Sequence, residues 1–260
     1  MGLRRTLADA RGEKGKGKRE EGRGHDRGVF FYHPRMLAYD FGPRHPLKPE
    51  RLRRAVELLG RWRVEPTDPG PGGVDDVLRV HDEGFVQIVR RLSRGEPVDE
   101  AERRASGFGS IDNPVFEGMY EASLAYVAGS ARAAEIVRDG APLAFGLAGG
   151  LHHAHRDRAS GFCVFNDVAV AIRTLQHEGR LGRVAVIDLD VHQGNGTAAI
   201  FAGDVDVHTF SMHGARNFPW RKVAGTLDVE LDDGTEDSAY LAVLEAHLDR
   251  VLEEARPDLV

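Results

Sequence analysis

The sequence predicts an α/β fold, in which a parallel sheet carries helices on both faces. Short apolar runs typical of buried parallel strands alternate along the chain with amphipathic segments typical of helices. Several His and Asp residues directly follow such runs, and ligands of open α/β sheets bind at the carboxyl ends of strands. A length of 260 residues, with 41% hydrophobic and 29% charged residues, suits one sizeable domain.

The first half of the pattern begins with the apolar residues 29–32, which predict a strand. Pro49 then opens a helix that we expect to end near Gly60, because proline favours the first helical turn. Further helices are predicted over residues 83–92 and 117–137. Residues 142–147 read as a buried strand that leads into a glycine pair.

The second half repeats this alternation and contains most of the polar motifs. Helical periodicity predicts helices over residues 165–177 and 237–254. Strands are predicted over residues 184–189 and 205–210, and residues 257–260 look like the beginning of another strand. No internal repeat of the solenoid type is present.

Composition excludes several classes of protein. A single cysteine excludes an intrachain disulfide, and no run approaches the roughly 18 apolar residues of a membrane span. We therefore expect a protein of the reducing cytoplasm without a membrane partner. Residues 1–27 hold nine of the 35 Lys and Arg but only five of the 41 Asp and Glu. This segment predicts a disordered basic tail, to which we assign no nucleic-acid partner, and residues 28–260 predict the folded domain.

The most informative stretch lies between residues 150 and 213, which hold seven of the twelve histidines. If the strand over residues 184–189 continues with a period of two, then Asp188, Asp190 and His192 share one face. Two carboxylates and one imidazole suit a borderline divalent ion such as zinc. The sequence therefore predicts a zinc site at the carboxyl end of this strand.

Three motifs make a family resemblance specific: residues 149–154 (GGLHHA), 161–167 (GFCVFND) and 188–196 (DLDVHQGNG). Together with residues 42–46, 49–52, 111–114 and 211–213, they resemble the zinc-dependent deacetylase superfamily of histone deacetylases, acetoin-utilisation proteins and acetylpolyamine deacetylases. The resemblance implies the arginase/deacetylase fold, whose last strands are inserted into the middle of the sheet. Those strands are expected beyond residue 260, so we expect this fold to be incomplete at its C-terminal side.

The resemblance also implies an activity and a cofactor. The expected reaction is hydrolysis of the N-acetyl or N-acyl amide of a lysine or a polyamine by metal-activated water. Asp190 and His192 match two ligands of the family's zinc ion. The third ligand, an aspartate, and the tyrosine that stabilises the oxyanion are not found in this sequence.

Four residues match the family's catalytic groups. His153 matches the general base and acid, and His152 matches its electrostatic partner. Asp188 matches the carboxylate that orients one of these imidazoles. Asn195 stands where some relatives carry a second aspartate, so that it could orient His153 without lending charge; a simple turn role for Asn195 is equally open.

The remaining matches concern the substrate and a second cation. Phe162 and Phe218, with Gly161, match an aromatic passage for an aliphatic side chain, and Asp112 matches a rim aspartate that binds amide hydrogens. Ordinary core and turn roles stay open for these residues. The family also holds a structural monovalent cation such as K⁺, and its matching residues here are Asp188, Asp190, His192, Ser211 and Met212.

Competing interpretations belong to other functional classes. The chain could be a catalytically inactive deacetylase-like fragment or a non-catalytic binding protein, or a partner chain could supply what is absent. Ureohydrolases share the fold, but their paired-manganese aspartate motifs are not present. The choice between acetylated protein and acetylpolyamine, the acyl length and the oligomeric state stay open.

Overall fold

The computed structural model describes residues 28–260, so the predicted basic tail of residues 1–27 lies outside the described residues. Every strand pair in the described part is parallel, as the predicted α/β class requires. A 3₁₀ helix spans Pro34–Ala38. The α-helices are α1 (Pro49–Arg61), α2 (Val74–Leu78), α3 (Glu83–Ser93), α4 (Glu100–Ala105), α5 (Met119–Arg138), α6 (Asp167–His177), α7 (Asn195–Ile200) and α8 (Asp237–Ala255).

The strands of the described residues form two parallel sheets. One contains β1 (Val29–Phe31) and β2 (Ala144–Gly146). The other has the order β3-β4-β5 and contains β3 (Val184–Asp188), β4 (Val207–Gly214) and β5 (Leu227–Leu231). The beginning strand predicted at residues 257–260 is reduced to one parallel bridge, between Leu259 and Val184.

Helix α5 organises the larger hydrophobic core. It packs against α6 and β2, and most of its N-terminal half, Met119 to Gly129, is buried. None of the described helices combines the length and the apolarity needed to cross a bilayer.

Strand β2 corrects the prediction of a buried strand over residues 142–147. It is only three residues long, and Phe145 is 54% exposed. Because successive side chains of a strand point to opposite faces, only one face of β2 can lie against α5. Gly146 takes that face, where an added Cβ would lie 3.2 Å from the backbone of Gly129 in α5. Phe145 therefore points to the uncovered face.

Two further strands differ from the prediction. Strand β4 begins at Val207 rather than at residue 205, because Val205 lies in a bend and is 92% exposed. It also continues four residues past the predicted end, to Gly214. Strand β5 was not predicted, although Leu227, Val229 and Leu231 alternate with Asp and Glu in the period of a strand.

Helix α6 begins at Asp167, two residues later than predicted, because Asn166 is its N-cap. The Asn166 Oδ1 atom accepts a hydrogen bond from Ala169 N at 3.0 Å, which satisfies a free N–H of the first turn. Its Nδ2 atom donates to Ala154 O at 3.2 Å and to Thr197 Oγ1 at 3.0 Å. One buried cap thus joins α6, α7 and the loop that follows the histidine pair.

Buried His81 supports the same cap and predicts a pH dependence of stability. Its Nε2 atom accepts a hydrogen bond from Asn166 N at 2.9 Å, and burial lowers the pKa of His81 from 6.5 to about 4. The unfolded chain therefore binds this proton before the folded one does, so stability is complete above pH 6.5 and falls as the pH drops towards 4. We expect a loss of about 3 kcal/mol across that interval, at roughly 1.4 kcal/mol per pH unit.

The measurement is urea unfolding at pH 7.5 and pH 5, with His81→Asn compared with wild type. The variant should be less stable at pH 7.5 and should lose less stability on acidification. Exposed His177 at the end of α6 supplies the matched control, His177→Asn. An equal pH dependence in wild type and His81→Asn would contradict this account.

Candidate active site

The loop that follows β2 carries the histidine pair and is anchored by a carboxylate that sequence analysis did not select. Asp167, fully buried in the first turn of α6, accepts hydrogen bonds from Gly150 N at 3.0 Å, from Leu151 N at 2.7 Å and from the Ser130 hydroxyl. Burial raises the pKa of Asp167 against the opposing effect of these donors. The two backbone contacts fix the loop directly before His152.

His152 faces Asp188 at the end of β3. Its Nδ1 atom lies 2.6 Å from Asp188 Oδ2, and both side chains are largely buried. Burial by itself lowers the pKa of His152, but the hydrogen bond and the charge of Asp188 outweigh it and raise the pKa above its usual value. The contact lets Asp188 orient this imidazole, and its role in catalysis stays a prediction.

His153 has a neutral partner instead. Its Nδ1 atom lies 2.8 Å from Asn195 Oδ1, while Asn195 Nδ2 lies 3.3 Å from His155 Nε2. Because an amide oxygen only accepts, Nδ1 of His153 carries the proton and Nε2 is left with a lone pair. Burial, together with the charge of His152, lowers the pKa of His153 to about 4. The two adjacent imidazoles therefore have opposite pKa shifts.

Asp190 and His192 lie next to this pair, although not on a continued strand. β3 ends at Asp188, and the chain then turns: Asp190 N donates to Asp188 Oδ1 at 3.1 Å, and His192 N donates to Asp190 Oδ1 at 2.8 Å. The predicted continuation of the strand beyond Asp188 is therefore wrong. These local hydrogen bonds between side chain and backbone replace the ladder.

The atoms of this pair fit a zinc ion. Asp190 Oδ1 lies 3.1 Å from His192 Nδ1, and both side chains are about half exposed. Two ligands of a tetrahedral zinc with bonds near 2.0 Å are separated by roughly 3.3 Å. Within residues 28–260, however, the structure places no three His, Cys, Asp or Glu side chains around one metal position. The described residues thus offer two side chains at the spacing of zinc ligands, and zinc binding by them stays a prediction.

Gln193 continues the turn and fixes it from behind. The side chain is buried, and its Nε2 atom donates to Val223 O at 2.9 Å and to Asp228 Oδ1 at 2.8 Å. Its Oε1 atom accepts from Val223 N at 2.9 Å. The loop with Asp190 and His192 is thereby held to the segment that leads into β5. Sequence analysis missed this residue, because its partners lie 30 and 35 residues away.

A cavity of about 850 Å³ brings together most of the predicted site. Gly161 must be a glycine here: an added Cβ would lie 2.4 Å from His153 Cδ2 and 2.9 Å from Phe218 Cε1. The Phe218 ring meets the His153 ring edge to face, with centroids 4.9 Å apart. The predicted site residues that line the cavity are Asp112, His152, His153, Gly161, Phe162, Asp190, His192 and Phe218.

Of the residues predicted for a monovalent cation, Asp190 and His192 line this cavity, whereas Asp188, Ser211 and Met212 are not part of its lining. Asp188 is the register partner of Ser211 across β3 and β4, and Met212 is buried beside it. The Ser211 hydroxyl lies 2.9 Å from His213 Nδ1. Cation binding by this group stays a prediction.

A histone deacetylase domain model matches residues 45–260. The chain is 40% identical over 181 residues to an uncharacterized protein of Picosynechococcus sp., covering 70% of this chain and 57% of that protein. It is 34% identical over 250 residues to the acetoin utilization protein AcuC of Bacillus subtilis, covering 89% of this chain and 64% of that protein. The chain therefore spans less than two thirds of the length of either relative.

Solved structures show the same similarity. The acetylpolyamine aminohydrolase of Burkholderia pseudomallei superposes with a TM-score of 0.78 at 26% identity, covering 90% of this chain and 80% of that one. A histone deacetylase homolog complexed with SAHA gives 0.77 at 28% identity, covering 88% and 65%.

Proposed function

The chain belongs to the histone deacetylase family, and from that premise we propose that its cavity serves the zinc-dependent hydrolysis of an N-acyl amide of lysine or of a polyamine. The observation that carries the proposal is the arrangement at the cavity wall. There, two oriented imidazoles with opposite pKa shifts adjoin a carboxylate–imidazole pair of zinc-ligand spacing. Groups whose pKa values are pushed apart are typical of acid–base sites.

Asp190 and His192 would hold the zinc ion. Bound zinc supplies Lewis-acid polarisation of the amide carbonyl and makes water a better nucleophile near neutral pH. In this proposal, the turn fixed by Asp188 and Gln193 keeps both ligand atoms oriented before the metal binds.

His153 is the proposed general base. Its Nε2 atom is unprotonated because Nδ1 donates to Asn195, so Nε2 can take the proton of the attacking water and return it to the leaving amine. His152 stays beside it as a more basic imidazole oriented by Asp188. When protonated, it would stabilise negative charge that develops on the amide.

Phe162 and Phe218 would bury the methylene chain of the substrate, and exposed Asp112 at the mouth would accept hydrogen bonds from its backbone or amine N–H groups. Both acetyl-lysine and acetylpolyamine suit this description. We further propose that K⁺ binds near Asp188 and Ser211. We also propose that the protein is cytoplasmic and has no membrane partner, and the free, buried thiol of Cys163 is compatible with a reducing compartment.

The test is elemental analysis of zinc in the purified chain, run beside hydrolysis of an acetyl-lysine fluorogenic peptide and of acetylputrescine. Zinc together with turnover supports the proposal, and the preferred substrate identifies the class. Zinc without turnover supports the alternative of a non-catalytic metal-binding protein, for which the two-ligand site is the observation in favour. A purified chain with no zinc and no turnover would overturn both the hydrolase proposal and the metal-binding alternative.

Removing either proposed ligand should weaken zinc binding. We expect the zinc dissociation constants of Asp190→Ala and His192→Ala to rise by more than the roughly 10- to 100-fold typical of lost outer-shell contacts. Competition with a chromophoric chelator measures this without any need for turnover. Asp139→Ala and His177→Ala change exposed residues of the same types and should leave the constant unaltered. Unchanged zinc binding in the ligand variants would place the metal elsewhere.

A further inference from the structure

We propose that Asn113 and Tyr39 are positioning residues that clamp Phe162 in a left-handed backbone conformation and thereby set the width of the cavity entrance. The inference deepens the proposed function, since Phe162 lines the proposed substrate passage. Neither clamp residue touches the proposed zinc ligands. Both act through the backbone of Phe162.

Phe162 has an unusual backbone conformation. Its φ is +71°, a region that residues with a Cβ rarely adopt, and Gly161 directly before it has a φ of +51°. Two successive left-handed residues reverse the chain sharply. Such a conformation persists in a non-glycine residue only where the surroundings hold it.

Asn113 holds the amide side of Phe162. Its Oδ1 atom accepts a hydrogen bond from Phe162 N at 2.9 Å, and the Asn113 side chain is only 3% exposed. The residue is itself fixed, because its N–H donates to Ser110 Oγ at 3.1 Å and its carbonyl accepts from Gly109 N at 3.0 Å. A rigid acceptor therefore meets the amide of the strained residue.

Tyr39 holds the carbonyl side. Its hydroxyl donates to Phe162 O at 2.7 Å and accepts from Val164 N at 3.1 Å. The ring is fully buried and meets the ring of Tyr126 edge to face, with centroids 4.7 Å apart. The phenol is thus locked in place, so the Phe162 peptide groups on both sides have partners that cannot easily move.

The same clamp joins the passage wall to the rim. Asn113 directly follows Asp112, whose carbonyl lies 3.2 Å from His45 Nε2. The His45 ring in turn meets the Phe162 ring edge to face, with centroids 4.4 Å apart. Releasing Phe162 would therefore loosen the wall and the rim aspartate together. A wider, softer entrance would discriminate less between slim and bulky side chains.

The first test needs no turnover. Amide hydrogen exchange at Phe162 and Val164, followed by NMR, should be at least about tenfold faster in Asn113→Ala and Tyr39→Phe than in wild type. Asn113→Asp keeps an acceptor oxygen and should restore protection at Phe162. Tyr240→Phe on α8 removes a hydroxyl for which the described residues show no hydrogen-bond partner, and should leave both amides unchanged. Thermal melts check that each variant folds. If Asn113→Ala does not fold, Tyr39→Phe, which loses only one oxygen atom, still tests the clamp.

The second test is selectivity in the chain that hydrolyses acetyl-lysine peptide. Both variants should raise KM for this peptide about tenfold with little change in kcat, while KM for an N-acetylated 4-aminophenylalanine peptide stays level. The preference between the two peptides then narrows. Unchanged amide exchange together with a positive φ at Phe162 in a crystal structure of Asn113→Ala would overturn the clamp. Because exchange is independent of catalysis, loss of the hydrolase proposal and loss of the clamp give different results.

Discussion

Replacing His153 by alanine is expected to lower kcat for deacetylation by about 10²- to 10⁴-fold, the range typical of a lost general acid–base group. The reason is the lone pair on Nε2, which stays free because Asn195 Oδ1 accepts a hydrogen bond from Nδ1–H. The neighbouring His152 is less suited to be the base, because its Nδ1 atom is hydrogen-bonded to the Asp188 carboxylate, which raises the pKa of His152. Steady-state kinetics on the acetyl-lysine peptide measures the change.

Two controls separate chemistry from folding in this experiment. His177→Ala alters an exposed histidine and should leave kcat unchanged. Zinc content of His153→Ala should equal that of wild type, because His153 is not a proposed ligand. Retention of full turnover by His153→Ala would assign the proton transfer to another group.

Replacing Asp167 by alanine is expected to lower the free energy of unfolding by about 3 kcal/mol and to abolish turnover. The change leaves three donors without their acceptor: Leu151 N, which is buried, and the Ser130 hydroxyl and Gly150 N, whose bonds to Asp167 are partly buried, at roughly 1 kcal/mol each. The loop before His152 then loses its anchor, so both imidazoles lose their fixed positions. Urea unfolding and peptide hydrolysis measure the two effects.

Asp139→Ala is the matched control for stability. Asp139 is exposed and pairs with Arg180, and an exposed ion pair contributes about 0–1 kcal/mol. Asp167→Asn keeps one acceptor oxygen, so its free energy of unfolding should lie between those of wild type and Asp167→Ala. A loss in Asp167→Ala no larger than that in Asp139→Ala would mean that the loop finds other acceptors.

The elements with long periodic patterns were predictable from the sequence. Helices α1, α3, α5 and α8 lie within two residues of the predicted bounds, because an apolar stripe is a strong local signal. β5 was missed, although its alternation was readable at residues 227–231. The uncovered face of β2 was not readable, because an apolar run does not reveal which neighbours will cover it.

In the candidate site, the motif residues were predictable from the sequence, but some of the residues that hold them in place were not. The motifs led to His152, His153, Asp190, His192 and Phe162, which the structure brings to one cavity. The supporting roles of Asp167 and Asn113 were not predicted, because Asp167 reaches Leu151 over 16 residues and Asn113 reaches Phe162 over 49. The turn at Asp190 was wrongly predicted as strand. The alternation of polar and apolar residues there is the same as in a strand, and it does not reveal the local hydrogen bonds that form the turn.

The pairing of β1 with β2 also determines an order of events during synthesis. Val29 pairs with Ala144, so β1 emerges from the ribosome roughly 115 residues before its partner, about 6–23 s at 5–20 residues per second. During this interval Phe30 and Phe31, which are buried in the final fold, have no strand beside them. Among the described residues made in between, the segment at Thr67, which forms a parallel bridge with Phe31, and helix α5 both contact β1 in the final fold. Until Ala144 is made, this apolar strand is a segment to which chaperones are expected to bind.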